Sequence, residues 1–367
     1  MLVCFRERGG SRRSVAATGS LSTGMAVSIE THPQLPRSRD IGAPRRGRID
    51  RRKLRQTPLA LLFLAPALTV IGVFHFFPLF YAFWISMRNW GVADRGLVWF
   101  KNYNEALHTQ AFWQSLGNTL YYAVGTVPVT MAAACVIAYL LYQKVRFLGV
   151  FRTLFFLPYV TSTVAAAAIW LWIFSPRAGL ANSLLSHIGI GHQRWTQEPT
   201  GVIRLLAGTL HVSIPGLMQG PSLALVAVII LTIWHDLGFQ VVIFLVGLGN
   251  IPGETYEAAR MDGASETQVF FRITLPLLTP TFFFLTIIST IASFQAFNTI
   301  YIMSTNSNVG GPGGPLRTTQ TVMVNVFNQF QINHRLGYGS AVAFILFAIL
   351  LGLTLVQVRV GGRYAQQ

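Results

Sequence analysis

The chain has 367 residues, of which 52% are hydrophobic and 11% charged, with a mean hydropathy of +0.49 and a formal net charge of +16. Soluble domains carry about 25% charged residues, so this composition excludes an ordinary soluble domain and indicates a polytopic membrane protein. Its two cysteines, Cys4 and Cys135, form neither a disulfide framework nor a metal-ligand spacing.

Residues 1–57 hold thirteen Lys and Arg against four acids and are dominated by Gly, Ser, Pro and Arg. Without apolar periodicity, they predict a disordered basic tail. The tail lacks the apolar core of a signal peptide. Anionic lipid headgroups and membrane orientation explain its arginines more simply than nucleic acid does, so no nucleic-acid partner is expected. Met25 is an alternative start.

Six apolar runs follow, at 58–87, 116–142, 153–174, 222–249, 278–303 and 338–358. Each is near or above the ~20 residues a spanning helix needs. None alternates as barrel strands would. The fold class expected is an all-α polytopic membrane protein with six transmembrane helices. Pro66 and Pro78 predict a break or kink in the first run, whose His75 reads as packed or interfacial. Trp84, Trp90 and Trp99 suit an interface belt. Lys144-Val145-Arg146, with Arg152, forms a basic connector after the second run. The longest loop, 175–221, contains an interrupted apolar stretch at 202–218 that predicts a surface or re-entrant helix. Residues 58–358 are thus read as one transmembrane domain, and 359–367 as a short tail.

Polar groups inside the apolar runs are costly and mark a wet cavity or a partner. Asp236 lies near the middle of the fourth run, and Gln240 is one turn later on the same face. Gln295 and Asn298 are placed on one face of the fifth. A carboxylate and amides can bond the hydroxyls of a polar solute as acceptors and donors. The competing account is interhelical hydrogen bonding without ligand contact. These four are the candidate substrate-path residues.

Between the fourth and fifth runs lies a polar island, 251–280, with the acids Glu254, Glu257, Asp262 and Glu266 and the arginines Arg260 and Arg272. Pro252 and Gly253 end the preceding helix. Thr255 to Met261, centred on Ala258 and Ala259, predict a short helix. Asp262-Gly263 closes it, because Gly tolerates a positive φ. Ser265 with Gln268 forms a capping box that opens the next helix. The segments on the side of the tail and the island hold twenty Lys and Arg, against eight in the other loops. The positive-inside rule then places both termini and the island in the cytoplasm.

The spacing Glu257-Ala258-Ala259, Gly263 and Ile273-x-Leu275-Pro276 resembles the EAA loop of binding-protein-dependent ABC importer permeases. Similar stretches are Trp234 to Ile251-Pro252, the Phe151-Arg152-Thr153…Pro158 entry to the third run, and Asn102-Tyr103…Phe112-Trp113…Asn118-Thr119. So is the Gly-Gly-Pro loop followed by Gly337-Tyr338. Together they cover about 58–358 and look like sugar-type, maltose-transporter-like permeases of the bacterial plasma membrane, a group that includes glycerol-phosphate carriers.

The resemblance implies carbohydrate or polyol import with a second homologous permease, two ATPase subunits and an extracytoplasmic substrate-binding protein. Glu257, Ala258, Ala259, Asp262 and Gly263 would form a cytoplasmic coupling helix docked on an ATPase. ATP and magnesium would belong to those partners. This chain shows no Walker-type glycine loop, no nucleophile–base pair and no metal constellation, so no catalytic or metal residues are assigned. An ion-gradient-driven secondary transporter also accounts for six spans and Asp236, but gives no reason for the spacing of the island. A membrane scaffold or sensor is a third class.

Overall fold

The computed structural model describes residues 62–143, 147–204, 220–305 and 311–362. The basic tail, Lys144 to Arg146, nearly all of the 202–218 stretch and the end of the C-terminal segment lie outside the described residues. The chain divides into two units, Met1–Pro66 and Ala67–Gln367. Of the first, Leu62–Pro66 is described, as helix.

Helix α1, Leu62–Ser86, is long and apolar enough to cross a membrane. Pro66 and Pro78 do not break it. Pro78 has no N–H to offer, and a π turn at Gly72–Phe76 absorbs the mismatch, with the Phe77 N–H reaching the Gly72 carbonyl. His75 lies in this turn and is exposed. An antiparallel hairpin follows, β1 Arg88–Trp90 and β2 Asp94–Leu97, with Trp90 opposite Asp94. Next come α2 Lys101–His108, α3 Gln110–Tyr142, α4 Leu148–Val160, α5 Thr163–Ile173 and α6 Leu180–His187. The second half contains α7 Leu223–Gly249, α8 Gly253–Met261, α9 Glu266–Val269, a π turn Phe270–Thr274 and α10 Leu275–Leu277. It ends with α11 Thr279–Phe294, α12 Asn298–Thr305, α13 Val322–Gln331 and α14 Leu336–Gly361.

Two of the six runs are not continuous helices. The third is the pair α4 and α5, which meet at 93°. Helix α4 ends where the Thr161 N–H folds back on the Leu157 and Pro158 carbonyls, and Ser162 turns out of helical geometry. The fifth run breaks between Phe294 and Asn298, with the Gln295 N–H closing α11 on the Ile291 and Ser293 carbonyls. Gln295 and Asn298 therefore do not share a helix face, which corrects the expectation from their spacing. Helix α7 stops at Gly249, and Pro252 caps α8 rather than ending its predecessor.

Lipid is as apolar as a leucine side chain, so packing and hydrogen bonds, more than exclusion of water, hold such helices together. Helices α3 and α7 run against each other, with α4 on α7 and α11 on α3. Ala134 and Ala138 let α3 approach Val241, Phe244 and Leu248 of α7, and Leu278 and Leu285 complete that cluster. A second cluster joins Leu225, Val228 and Leu231 to Ala167, Ile300 and Met303. In a third, Phe112 and Ala123 meet Val326, Tyr338 and Val342. Where α4 crosses α7, the Phe155 carbonyl occupies the space a side chain at Gly238 would fill.

Candidate functional site

Two adjoining cavities, of about 210 and 250 Å3, share Asp236, Ala292 and Ser293. Asp236 sits at the midpoint of α7. The first cavity is lined by Thr126 and Thr130 of α3, Tyr159 of α4, Gln240 of α7, and Ser289 of α11. His235, Gln295 and Asn298 line the second. The structure thus brings all four candidate substrate-path residues to one polar region. A larger cavity, of about 510 Å3, lies between α3 and the base of α11. Met131, Cys135, Phe270 and Phe282 make it almost wholly apolar, so it offers a polar solute little to bind.

Local bonds fix these side chains. His235 Nδ1 lies 2.8 Å from Asp236 Oδ1. A carboxylate can only accept, so the ring donates from Nδ1. Gln240 Nε2 donates to Ser289 Oγ at 3.2 Å, tying α7 to α11. The Tyr159 ring stacks on Phe239 at 5.1 Å and lies 5.7 Å from His235. Thr126 and Thr130 donate to carbonyls one turn back in α3, at 2.8 and 2.7 Å. The hydroxyls Thr119, Tyr122, Thr126 and Thr130 recur at helical spacing, a polar stripe that periodicity could have shown. Tyr159 carried no such signal.

The second feature is the elbow from α8 to α10. Helix α8 buries Ala259, at 6% exposure, and exposes Glu257, Ala258 and, just beyond its end, Asp262 and Gly263. It begins at Gly253, two residues before the predicted start. Gly263, at φ +77°, closes it. There the Gly263 N–H donates to the Arg260 carbonyl and the Ala264 N–H to the Ala259 carbonyl, the paired bonds of a Schellman end. The capping box is present: the Gln268 N–H donates to Ser265 Oγ, and the Ser265 N–H to Gln268 Oε1.

Three contacts hold the elbow in place. Glu266 accepts from Arg260 at 3.3 Å and from the Tyr139 hydroxyl, near the end of α3, at 3.4 Å. Thr274 Oγ1 donates to the Tyr256 hydroxyl at 3.5 Å. Burial raises the Tyr256 phenol above its ordinary pKa. Helix α8 is therefore connected at one end to α7 and through the π turn to α11, the two helices that carry Asp236, Gln240 and Ser289.

Comparison with known proteins gives the same architecture. A probable ABC transporter permease of Pyrococcus horikoshii is 30% identical over 300 residues, covering 81% of this chain and 94% of that protein. The trehalose/maltose transport system permease MalF of Thermococcus litoralis is 29% identical over 311 residues, covering 84% and 95%. A crystal structure of a bacterial alginate ABC transporter, in complex with an alginate pentasaccharide-bound periplasmic protein, includes a chain that superposes with a TM-score of 0.70. That chain is 18% identical, with coverage of 88% and 99%, so the likeness is one of fold. Residues 126–365, which take in the first cavity, all of the second but Tyr122, and the whole elbow, match the family described as binding-protein-dependent transport system inner membrane component. The chain belongs to that family.

Proposed function

We propose that this permease subunit carries a carbohydrate or related polyol across the plasma membrane, and that its elbow takes the driving force from ATPase subunits. The observation that carries the reading is the continuity from α8 to both cavity-lining helices. A displacement imposed on the exposed face of α8, at Glu257, Ala258 and Asp262, passes directly into α7 and α11. Alternating access requires such a lever, and coupling works when the docked partner interacts differently with the two transporter states. The cavities supply the hydroxyl, amide and carboxylate groups that recognise polyols. The trehalose/maltose relative supports a saccharide cargo.

In this reading the elbow and both termini face the cytoplasm. A second, homologous permease completes the path, two ATPase subunits dock on the pair, and an extracytoplasmic binding protein delivers the cargo. ATP and magnesium are bound by the ATPases. Residues 58–358 form the transmembrane domain, between the basic tail 1–57 and the short tail 359–367.

Co-purification with ATPase subunits from the native membrane tests this. The wild-type chain should retain them, and Glu257→Lys should lose most of them together with uptake. Unchanged ATPase association and uptake in Glu257→Lys would remove the docking role.

A further inference from the structure

The cavities around Asp236 hold acceptor atoms that no donor among the described residues reaches. Asp236 uses Oδ1 to accept from His235, and among the described residues its other oxygen accepts nothing. Gln240 is 4% exposed and spends its amide N–H on Ser289, while its Oε1 is buried without a donor. His235 Nε2 is likewise buried and unpartnered. Thr126, Thr130 and Thr232 donate to carbonyls of their own helices, and Ser293 Oγ and the Tyr122 hydroxyl lie 3.3 and 3.0 Å from Thr126 Oγ1 and Thr232 Oγ1. The lining also holds donors, the hydroxyls of Tyr122, Tyr159, Thr163, Ser289, Ser293 and Thr299 and the amides of Gln295 and Asn298. The described lining includes no Lys or Arg.

We infer that this region is a charge filter, in which Asp236, with Gln240 one turn away, accepts from the hydroxyls of a neutral saccharide, or from an amino group, and turns away acidic sugars. The inference rests on the carbohydrate reading above and narrows it. A buried acceptor without a donor is costly, so a cargo that brings O–H or N–H groups is favoured where it meets these atoms. A carboxylate or phosphate on the cargo brings only acceptors and a second negative charge. A like charge within about 5 Å, at an effective dielectric near 20, disfavours occupancy by on the order of tenfold to a hundredfold once water screens part of the field. The proximity of Tyr159 to this cluster adds an aromatic face on which a sugar ring can lie.

The test uses the complete importer in proteoliposomes at neutral pH, with two cargo saccharides that differ only in one group. One carries a uronate carboxylate and the other the matching uronamide. Uptake is measured per cargo-loaded binding protein, so that selection by that protein cancels. Wild-type importer should move the uronamide at least about tenfold faster than the uronate. Asp236→Asn should bring the two within about twofold, and Asp236→Glu should keep the gap. Gln240→Glu, which adds a second carboxylate, should widen it; because the wild-type ratio needs no variant, misfolding of one mutant leaves the test intact. Equal wild-type rates, or an unchanged ratio in a folded Asp236→Asn complex, would overturn the filter while leaving the carbohydrate reading. No uptake of any saccharide by an assembled, ATP-hydrolysing complex would overturn both.

Discussion

At Gly238 a single missing methyl group sets the geometry of the polar cavity. The Phe155 carbonyl of α4 lies where a Cβ would be, and one turn further along α4 Tyr159 reaches Phe239 and His235. Gly238→Ala must push α4 away from α7. Overpacking of this kind costs about 1–3 kcal/mol. The expected result is a lower unfolding midpoint in detergent and reduced uptake, with ATPase association retained because the elbow is untouched. A Gly238→Ala protein as stable and active as wild type would show that α4 and α7 do not need this close approach. At the hairpin, the Arg88 guanidinium bonds Asp94, and the Gly96 N–H donates to the same side chain. Both hold the Asp94 carboxyl below its ordinary pKa. A depressed folded-state pKa means that stabilisation is present above the unfolded value of about 4 and is lost as pH falls through the lower folded value. Asp94→Asn should therefore lower the unfolding midpoint slightly at neutral pH, and the difference should vanish in strong acid. A difference that grew on acidification would contradict the assignment.

The elements that matter most are those whose helical geometry is interrupted. The π turns Gly72–Phe76 and Phe270–Thr274 each end two residues before a proline, Pro78 and Pro276, and each sends the next N–H five residues back. One residue of extra winding changes the phase of everything beyond it by about 100°. Pro276→Ala restores an N–H and removes the reason for the π turn. The elbow should then rotate relative to α11, and its contacts from Tyr256 to Thr274 and from Tyr139 to Glu266 should not both survive. Uptake should fall several-fold while the chain stays folded. Distances between spin labels on α8 and α11 would read the change directly, and unaltered distances with normal uptake would dismiss the π turn as incidental. The elbow itself was legible because its boundaries depend on local chemistry: Gly263 for the left-handed closure, and Ser265 and Gln268 for the capping box. The breaks at Thr161–Ser162 and Gln295–Phe297 were not. Both lie inside apolar runs, where hydropathy reports continuity and says nothing of direction. Asp236 and Gln240 were found because polar groups are conspicuous in such runs. Gln295 and Asn298 reached the same cavity through a break that their spacing had hidden.

At the scale of the whole molecule, the question is how many times the chain crosses. Helices α1, α3, α7, the α11–α12 span and α14 are each long and apolar enough, while α4 and α5 qualify only as a pair bent by 93°. The parity of crossings between the hairpin and the elbow depends on that pair. If it crosses once, then α3, the pair and α7 make three crossings, and the hairpin and elbow face opposite sides. If the pair turns back within the membrane, the count is two and they face the same side. The distribution of Lys and Arg, twenty against eight, favours opposite sides, with the elbow inside. Two exposed positions can read this out. Val92, in the hairpin turn, is 91% exposed, and Met261, at the end of α8, is 88% exposed. In a chain with Cys4 and Cys135 replaced by serine, a membrane-impermeant maleimide applied to intact cells should label Val92→Cys. Met261→Cys should be labelled only after permeabilisation. Labelling of both from the outside would make α4 and α5 a re-entrant loop and separate the elbow from any cytoplasmic ATPase. The reverse pattern would invert the molecule and leave the exposed acids of α8 without the partner their position implies.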